Sequence, residues 1–294
     1  MPSMRAAFVA VLLASTAPLV VACHPKAGGE SQQATIRGAA ASPALAKLFA
    51  DSDEASLRLS PISAIFRGDM RYAGQFGDYI TDDYVAAERK AQDDDWRRLH
   101  EIDRASLSPE EQLAYDVFEY QTRIGREALA PDIVALTAPR PIDHLNGFQA
   151  FFPDFSSGNS AAPYKTVADY DNGLKRMDGY VLYLDRAIGR MREGMKTHVV
   201  LPKLLVANLI KQLDPMIAEP ADKSPFWQPI AKLPAAFSAA DKARLTAAYR
   251  AELTGKIAPA YKRLRAFLND EYMASARDGV GLVHMKGGAW LYEK

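Results

Sequence analysis

Between Tyr170 and Met191 the chain carries its longest periodic run of apolar residues. Tyr170, Leu174, Met177, Val181, Leu184, Ile188 and Met191 recur at alternating intervals of four and three. That spacing places them on one face of a helix of about seven turns and predicts antiparallel packing against neighbours at small crossing angles. Thr166-Val167-Ala168-Asp169 supplies a start signal ahead of the run, with a hydroxyl cap and an acidic residue three positions on. Ser108-Pro109-Glu110-Glu111 has the same logic, with proline at the first helical position, and Leu113, Val117, Tyr120 and Ile124 follow it at helical spacing. Ser238-Ala239-Ala240-Asp241 opens a third helix carried by Leu245, Tyr249, Leu253, Ile257, Leu264 and Leu268, with Pro259 expected to bend it. Weaker patterns predict helices over Pro43 to Ser60, Asp83 to Arg104 and Leu201 to Met216. Strand signals are scarce and no repeat at a fixed period occurs, so the pattern predicts a mainly α fold of long antiparallel helices.

Two irregular stretches separate these helices. Pro139 to Pro163 holds His144, Phe148, Phe151, Phe152 and Phe155, and Glu219 to Pro234 holds Ser224-Pro225-Phe226-Trp227. Apolar loops of that length often cover a site. Aromatic side chains are more often buried than functional, so the expectation is that both stretches cap the core.

Composition adds little direction. Of 294 residues, 36 are Lys or Arg and 36 are Asp or Glu, so no basic excess points to nucleic acid. The first residues say more. Arg5 precedes the apolar run Phe8 to Ala14, which Ser15, Thr16 and Pro18 interrupt well short of the roughly 20 apolar residues a membrane span needs. Residues 1–23 therefore read as an export signal. Val20-Val21-Ala22-Cys23 resembles the bacterial lipobox, and Cys23 is the only cysteine in the chain, fitting a lipid attachment point. His24 rather than aspartate follows it, which by the usual sorting pattern points to the outer membrane, facing the periplasm. Residues 24–42, rich in Gly, Ala, Ser and Gln, read as a flexible tether, and residues 43–294 as the folded domain.

Candidate chemistry is sparse. A zinc hydrolase uses two histidines one helical turn apart with a glutamate beside the first. His100-Glu101-Ile102-Asp103-Arg104 begins that pattern, but Arg104 stands where the second histidine belongs, and a guanidinium does not ligate a cation. His24, His144, His198 and His284 have no second histidine within helical reach. No Gly-x-Ser-x-Gly elbow and no glycine-rich phosphate loop occurs. Asp93-Asp94-Asp95 point in different directions on a helix and read as solvated surface rather than a calcium site. Near the end, Gly287-Gly288-Ala289-Trp290-Leu291-Tyr292 pairs two glycines with alternating aromatics, the signature of a strand or a ligand-facing turn.

A series of markers in order along residues 43–294 resembles the DUF885 family, a bacterial family whose members resemble zinc metallopeptidases. They are Ser60-Pro61 with Gly68 and Asp78, the helix entry at Leu107 to Leu113, Thr166 to Tyr170, Arg192 and Gly194 with Pro202, Ser224-Pro225-Phe226, Pro259-Ala260-Tyr261 and Gly287 to Tyr292. The resemblance covers the N-terminal half of that family. It implies a gluzincin-like helical fold with a long cleft, in which Gly287, Gly288, Trp290 and Tyr292 approach the cleft as a short edge strand able to pair with a peptide-like ligand. It also implies that the zinc-binding helix lies further along than Lys294. No catalytic and no metal-binding residue carries over to this chain, no cofactor is expected in it alone, and zinc is expected only with the C-terminal half.

The sequence thus reads as a lipid-anchored envelope protein, the non-catalytic half of a zinc-dependent peptidase, whether as a truncated gene product, a fragment or one part of a split protein. Its expected partners are the membrane through acylated Cys23, a separately encoded C-terminal half, and a peptide-like ligand. The alternative is a helical binding or scaffold lipoprotein without catalytic activity. A half-domain leaves apolar helix faces without partners, so residues 24–294 are expected to self-associate or to melt non-cooperatively.

Overall fold

A computed structural model describes residues 42–218 and 220–294. The export signal, Cys23 and the tether lie outside the described residues, apart from Ser42. In chain order the α-helices are α1 (Pro43–Leu59), α2 (Pro61–Phe66), α3 (Asp82–Leu99), α4 (Pro109–Ala128), α5 (Pro131–Thr137), α6 (Phe148–Phe155), α7 (Val167–Thr197), α8 (Lys203–Ala218), α9 (Gln228–Ala231), α10 (Ala239–Glu252), α11 (Ala258–Ala266), α12 (Met273–Ser275) and α13 (Gly288–Tyr292). Among the described residues there is no β-strand, and the β-type pairing is confined to one isolated parallel bridge between Pro202 and Arg277. The mainly α expectation holds.

The spine is α7, whose 31 residues extend about 46 Å. Thr166 accepts from the Asp169 amide at 3.3 Å and Asp169 accepts from the Thr166 amide at 2.7 Å, so the predicted cap forms in both directions. Its apolar stripe is buried at Tyr170, Met177, Leu184, Ile188 and Met191, and Tyr180, Tyr183 and Ala187 widen the buried face. Against it run α10 and α11, and α11 also packs on α8. Pro259 has no N–H to return to the carbonyl one turn earlier. The backbone meets that loss by widening into a π turn at Leu253–Ile257 rather than by ending the helix.

The stretch expected to be irregular between Pro139 and Pro163 contains α6, which packs its aromatics inward. Phe152 and Phe155 are fully buried, and Phe148 and Phe151 are half-buried against the same core. Phe226 and Trp227 are buried likewise. These aromatic residues close the core, as their burial preference predicted.

A second, smaller core joins α1, α3 and α4 through Leu45, Leu48, Leu99, Leu107 and Tyr115. Glu111 links two helix starts here: it accepts from the Ser108 amide at 3.0 Å in a capping box and from the Ser42 amide at 2.5 Å. Helix α3 ends at Leu99, short of the predicted Arg104, because Asp103 caps a separate 3-10 turn over Arg104–Ser106. His100 and Arg104 consequently do not share a helix. They pair outward instead, His100 with Glu119 at 3.0 Å and Arg104 with Asp116 at 2.6 Å.

Of the three adjacent aspartates, Asp93 and Asp94 pair with surface arginines as a solvated face should, but Asp95 is buried and accepts from the Ser52 hydroxyl at 2.6 Å. Burial pushes its pKa up, with Ser52 and Arg98 opposing and Asp94 and Asp51 adding to the rise. A carboxyl raised in the folded state binds its proton more tightly there than in the unfolded chain. Its stability contribution therefore worsens as pH rises from the ordinary carboxylate range, about 4, through the folded pKa. Asp95→Asn keeps an acceptor for Ser52 and removes the buried charge. It is expected to raise the melting temperature at neutral pH, with the advantage shrinking to nothing in acid; an equal gain at both pH values would contradict this origin.

Candidate functional site

The six residues from Gly287 to Tyr292 were expected to form an edge strand. They form a turn and the short helix α13 instead. Gly287 adopts φ +72°, a left-handed conformation that suits glycine, and a Cβ there would meet the Leu136 side chain of α5 at 2.9 Å. Gly288 is buried, and a Cβ on it would fall 1.8 Å from the Leu282 carbonyl oxygen. The glycine pair is therefore explained by close packing inside the chain. With the backbone amides turned into a helix, no open strand edge is offered to a peptide. Trp290 is 36% and Tyr292 67% exposed, and Val280 and Val283, earlier in the same segment, are exposed as well. The four candidate residues thus split: Gly288 is buried, while Gly287, Trp290 and Tyr292 reach the surface.

Arg277 ties this C-terminal segment to the body. It donates to the Val200 carbonyl at 3.1 Å and to the Gly281 carbonyl at 2.7 Å, and also to the Gly279 carbonyl. Leu201 donates its amide to the Tyr272 hydroxyl at 2.8 Å in the same corner. Burial lowers the pKa of Arg277, and burial together with the nearby Arg277 charge lowers that of Arg140. Nothing in the local sequence marks Arg277 as a clamp, because its acceptors are backbone carbonyls.

Surface depressions occur elsewhere. One of about 550 Å³ runs along α3, lined by Arg89, Asp93 and Arg97 among others, and one of about 260 Å³ lies between α1 and α4 near Leu45, Phe49 and Ala114. Neither involves residues 287–292. Zinc does not fit the residues present: among the described residues no group of three or more His, Cys, Asp or Glu side chains could hold a metal ion. No described helix is long and apolar enough to cross a membrane.

Two features escaped sequence reasoning. Arg176, inside the apolar face of α7, is 1% exposed; it donates to the Ala73 carbonyl and lies 5.8 Å from the Phe155 ring, while its Nε and Nη2 have no hydrogen-bond partner. Its position beside the i, i+4 stripe would have flagged it, since it falls on the buried side of the helical wheel. The second is α4. Its predicted stripe points outward, with Leu113 66%, Val117 47%, Tyr120 60% and Ile124 41% exposed. The opposite face, through Tyr115, Phe118 and Thr122, packs on the small core. Periodicity located the helix but could not say which of its two semi-apolar faces has a partner.

Comparison with solved structures gives a match to one described as "the putative lipoprotein from Colwellia psychrerythraea", with a TM-score of 0.68 and 15% sequence identity. The match covers 85% of this chain and 44% of that one, so the chain spans less than half the length of its structural neighbour. At that identity the likeness shows a shared fold. No curated protein matches. Residues 61–294 match the profile of DUF885, described as a bacterial protein of unknown function, and the chain belongs to that family.

Proposed function

We propose that this polypeptide is the non-catalytic half of a larger envelope fold, held to the membrane by acylated Cys23 and facing the periplasm. In this reading it supplies one wall of a cleft for a peptide-like substrate. Trp290 and Tyr292 stand at the rim, Gly287 and Gly288 set the turn that presents them, and a C-terminal half brings the zinc ligands. The observation that carries the reading is the coverage: 85% of this chain matches only 44% of its neighbour, so more than half of that neighbour has no counterpart in this chain. The exposed aromatic and aliphatic side chains within the short stretch 280–292 support it, because exposed apolar groups commonly mark a contact surface. The outward stripe of α4 favours the second reading, a helical scaffold lipoprotein that acts by binding.

The test is to read the DNA downstream of the Lys294 codon and co-produce whatever it encodes with residues 24–294. The expected result is a His-Glu-x-x-His-type segment, with zinc uptake and peptide hydrolysis only when both parts are present, and a raised KM in the Trp290→Ala, Tyr292→Ala double variant. Unrelated downstream sequence, and no activity on co-production, would remove the peptidase reading and leave the scaffold.

A further inference from the structure

We propose that the outward face of α4 is a two-fold interface on which a second copy of this chain docks, with the two α4 helices antiparallel. Leu113, Val117, Tyr120 and Ile124 form an unbroken apolar row about 16 Å long on a helix whose other face is already occupied. Other exposed apolar residues lie apart from this row in sequence, Leu145 in the connection between α5 and α6, Leu182 on α7 and Leu204 on α8. The row is self-complementary about a point midway between Phe118 and Glu119. A two-fold axis there sets Leu113 of one copy opposite Ile124 of the other, and Val117 opposite Tyr120, as an isologous interface requires.

The flanking charges agree with that direction. Asp116 and Arg123 lie on the same side of the row, seven residues apart, so antiparallel pairing brings Asp116 of each copy, which Arg104 holds at 2.6 Å within its own chain, within one turn of Arg123 of the other. A parallel two-fold pair would set this flank against the opposite one, which carries Ala114 and Gln121, and would bring no such charge pair together. Arg123 already lies over the Tyr120 ring at 5.3 Å and pairs with Glu127 at 2.9 Å, which holds the cation beside the row. The chain's own residues 24–41 are poor occupants, since their Gly, Ala, Ser and Gln offer almost no apolar anchors. This inference stands on α4 and does not depend on the peptidase reading.

The absence of any cysteine other than Cys23 makes the register directly testable with residues 24–294, which contain both cores. Sedimentation over about 5–200 µM is expected to show a monomer–dimer equilibrium. Val117→Glu and Tyr120→Glu are each expected to shift it at least about tenfold toward monomer, with an unchanged circular-dichroism melt at concentrations where both proteins are monomeric, because both positions are exposed. In the same background Leu113→Cys with Ile124→Cys should form a disulfide-linked dimer on mild oxidation, whereas Leu113→Cys alone should not, its two copies lying about 16 Å apart along the axis. Cross-linking of the single variant would overturn the antiparallel register. A monomer at every concentration, or a dimer indifferent to Val117→Glu and Tyr120→Glu, would overturn the proposal and leave the row to a different chain.

Discussion

Phe152→Ala is expected to cost about 3–5 kcal/mol of folding stability, read as a lowered urea midpoint with little change in slope. Phe152 has no exposed surface and sits among aromatic rings on every side. Phe76 meets it edge-on with centroids 5.0 Å apart, Tyr180 lies at 4.4 Å, and Phe155 and Phe226 each lie at 5.9 Å. Truncation removes the buried ring and leaves a cavity walled by stiff side chains. Tyr180 cannot swing in to fill it, because its hydroxyl is bound to that of Tyr261 at 2.8 Å. Phe151→Ala, one position earlier and half-buried, serves as the comparison and should cost clearly less. Equal losses at the two positions would mean that α6 is not seated as described.

The second large effect sets two glycines of one helix against each other. Glycine inside a helix costs up to about 1 kcal/mol relative to alanine, so Gly→Ala stabilises wherever the new methyl has room. At Gly189, on the exposed face of α7, nothing lies within 4 Å of the added Cβ, and Gly189→Ala is expected to gain about that much. At Gly173 the Cβ would lie 2.4 Å from the Tyr249 hydroxyl and 3.1 Å from that of Tyr164. Tyr249 is fully buried and donates to the Tyr170 carbonyl at 2.9 Å, so relieving the clash means breaking that bond and moving a locked ring. Gly173→Ala is therefore expected to lose about 1–3 kcal/mol, reversing the sign of its neighbour sixteen residues on. Thermal melts of the two variants side by side check this; a stabilised Gly173→Ala would show that α10 does not press on α7 there.

The helices were legible where capping and periodicity agreed. Thr166 with Asp169 and Ser108 with Glu111 are local signals, satisfied within one turn, and both helices begin where those residues put them. What local signals could not carry was the choice among surfaces. The row Leu113 to Ile124 and the face of Tyr115 and Phe118 are both apolar enough to be buried, and the contact with α1 and α3, distant in sequence, decides for the second. The same limit applies at the C-terminus. Gly287-Gly288 marks a place where backbone approaches something closely, as a glycine pair predicts. The thing approached is the chain itself, Leu136 and the Leu282 carbonyl, and the resulting left-handed turn starts a helix where an edge strand was expected. His100 and Arg104 fall on separate helical turns because Asp103 caps a new one, a competition that periodicity alone does not register.

On the proposed function, this chain is the part of a DUF885 fold that does not hold metal. The direct measurement is zinc content by mass spectrometry, with a peptidase assay on the same sample, for purified residues 24–294 after incubation with excess zinc and removal of the unbound ion. The expected result is far less than one zinc per chain and no hydrolysis above buffer. About one tightly held zinc per chain, with hydrolysis abolished by a chelator, would contradict it.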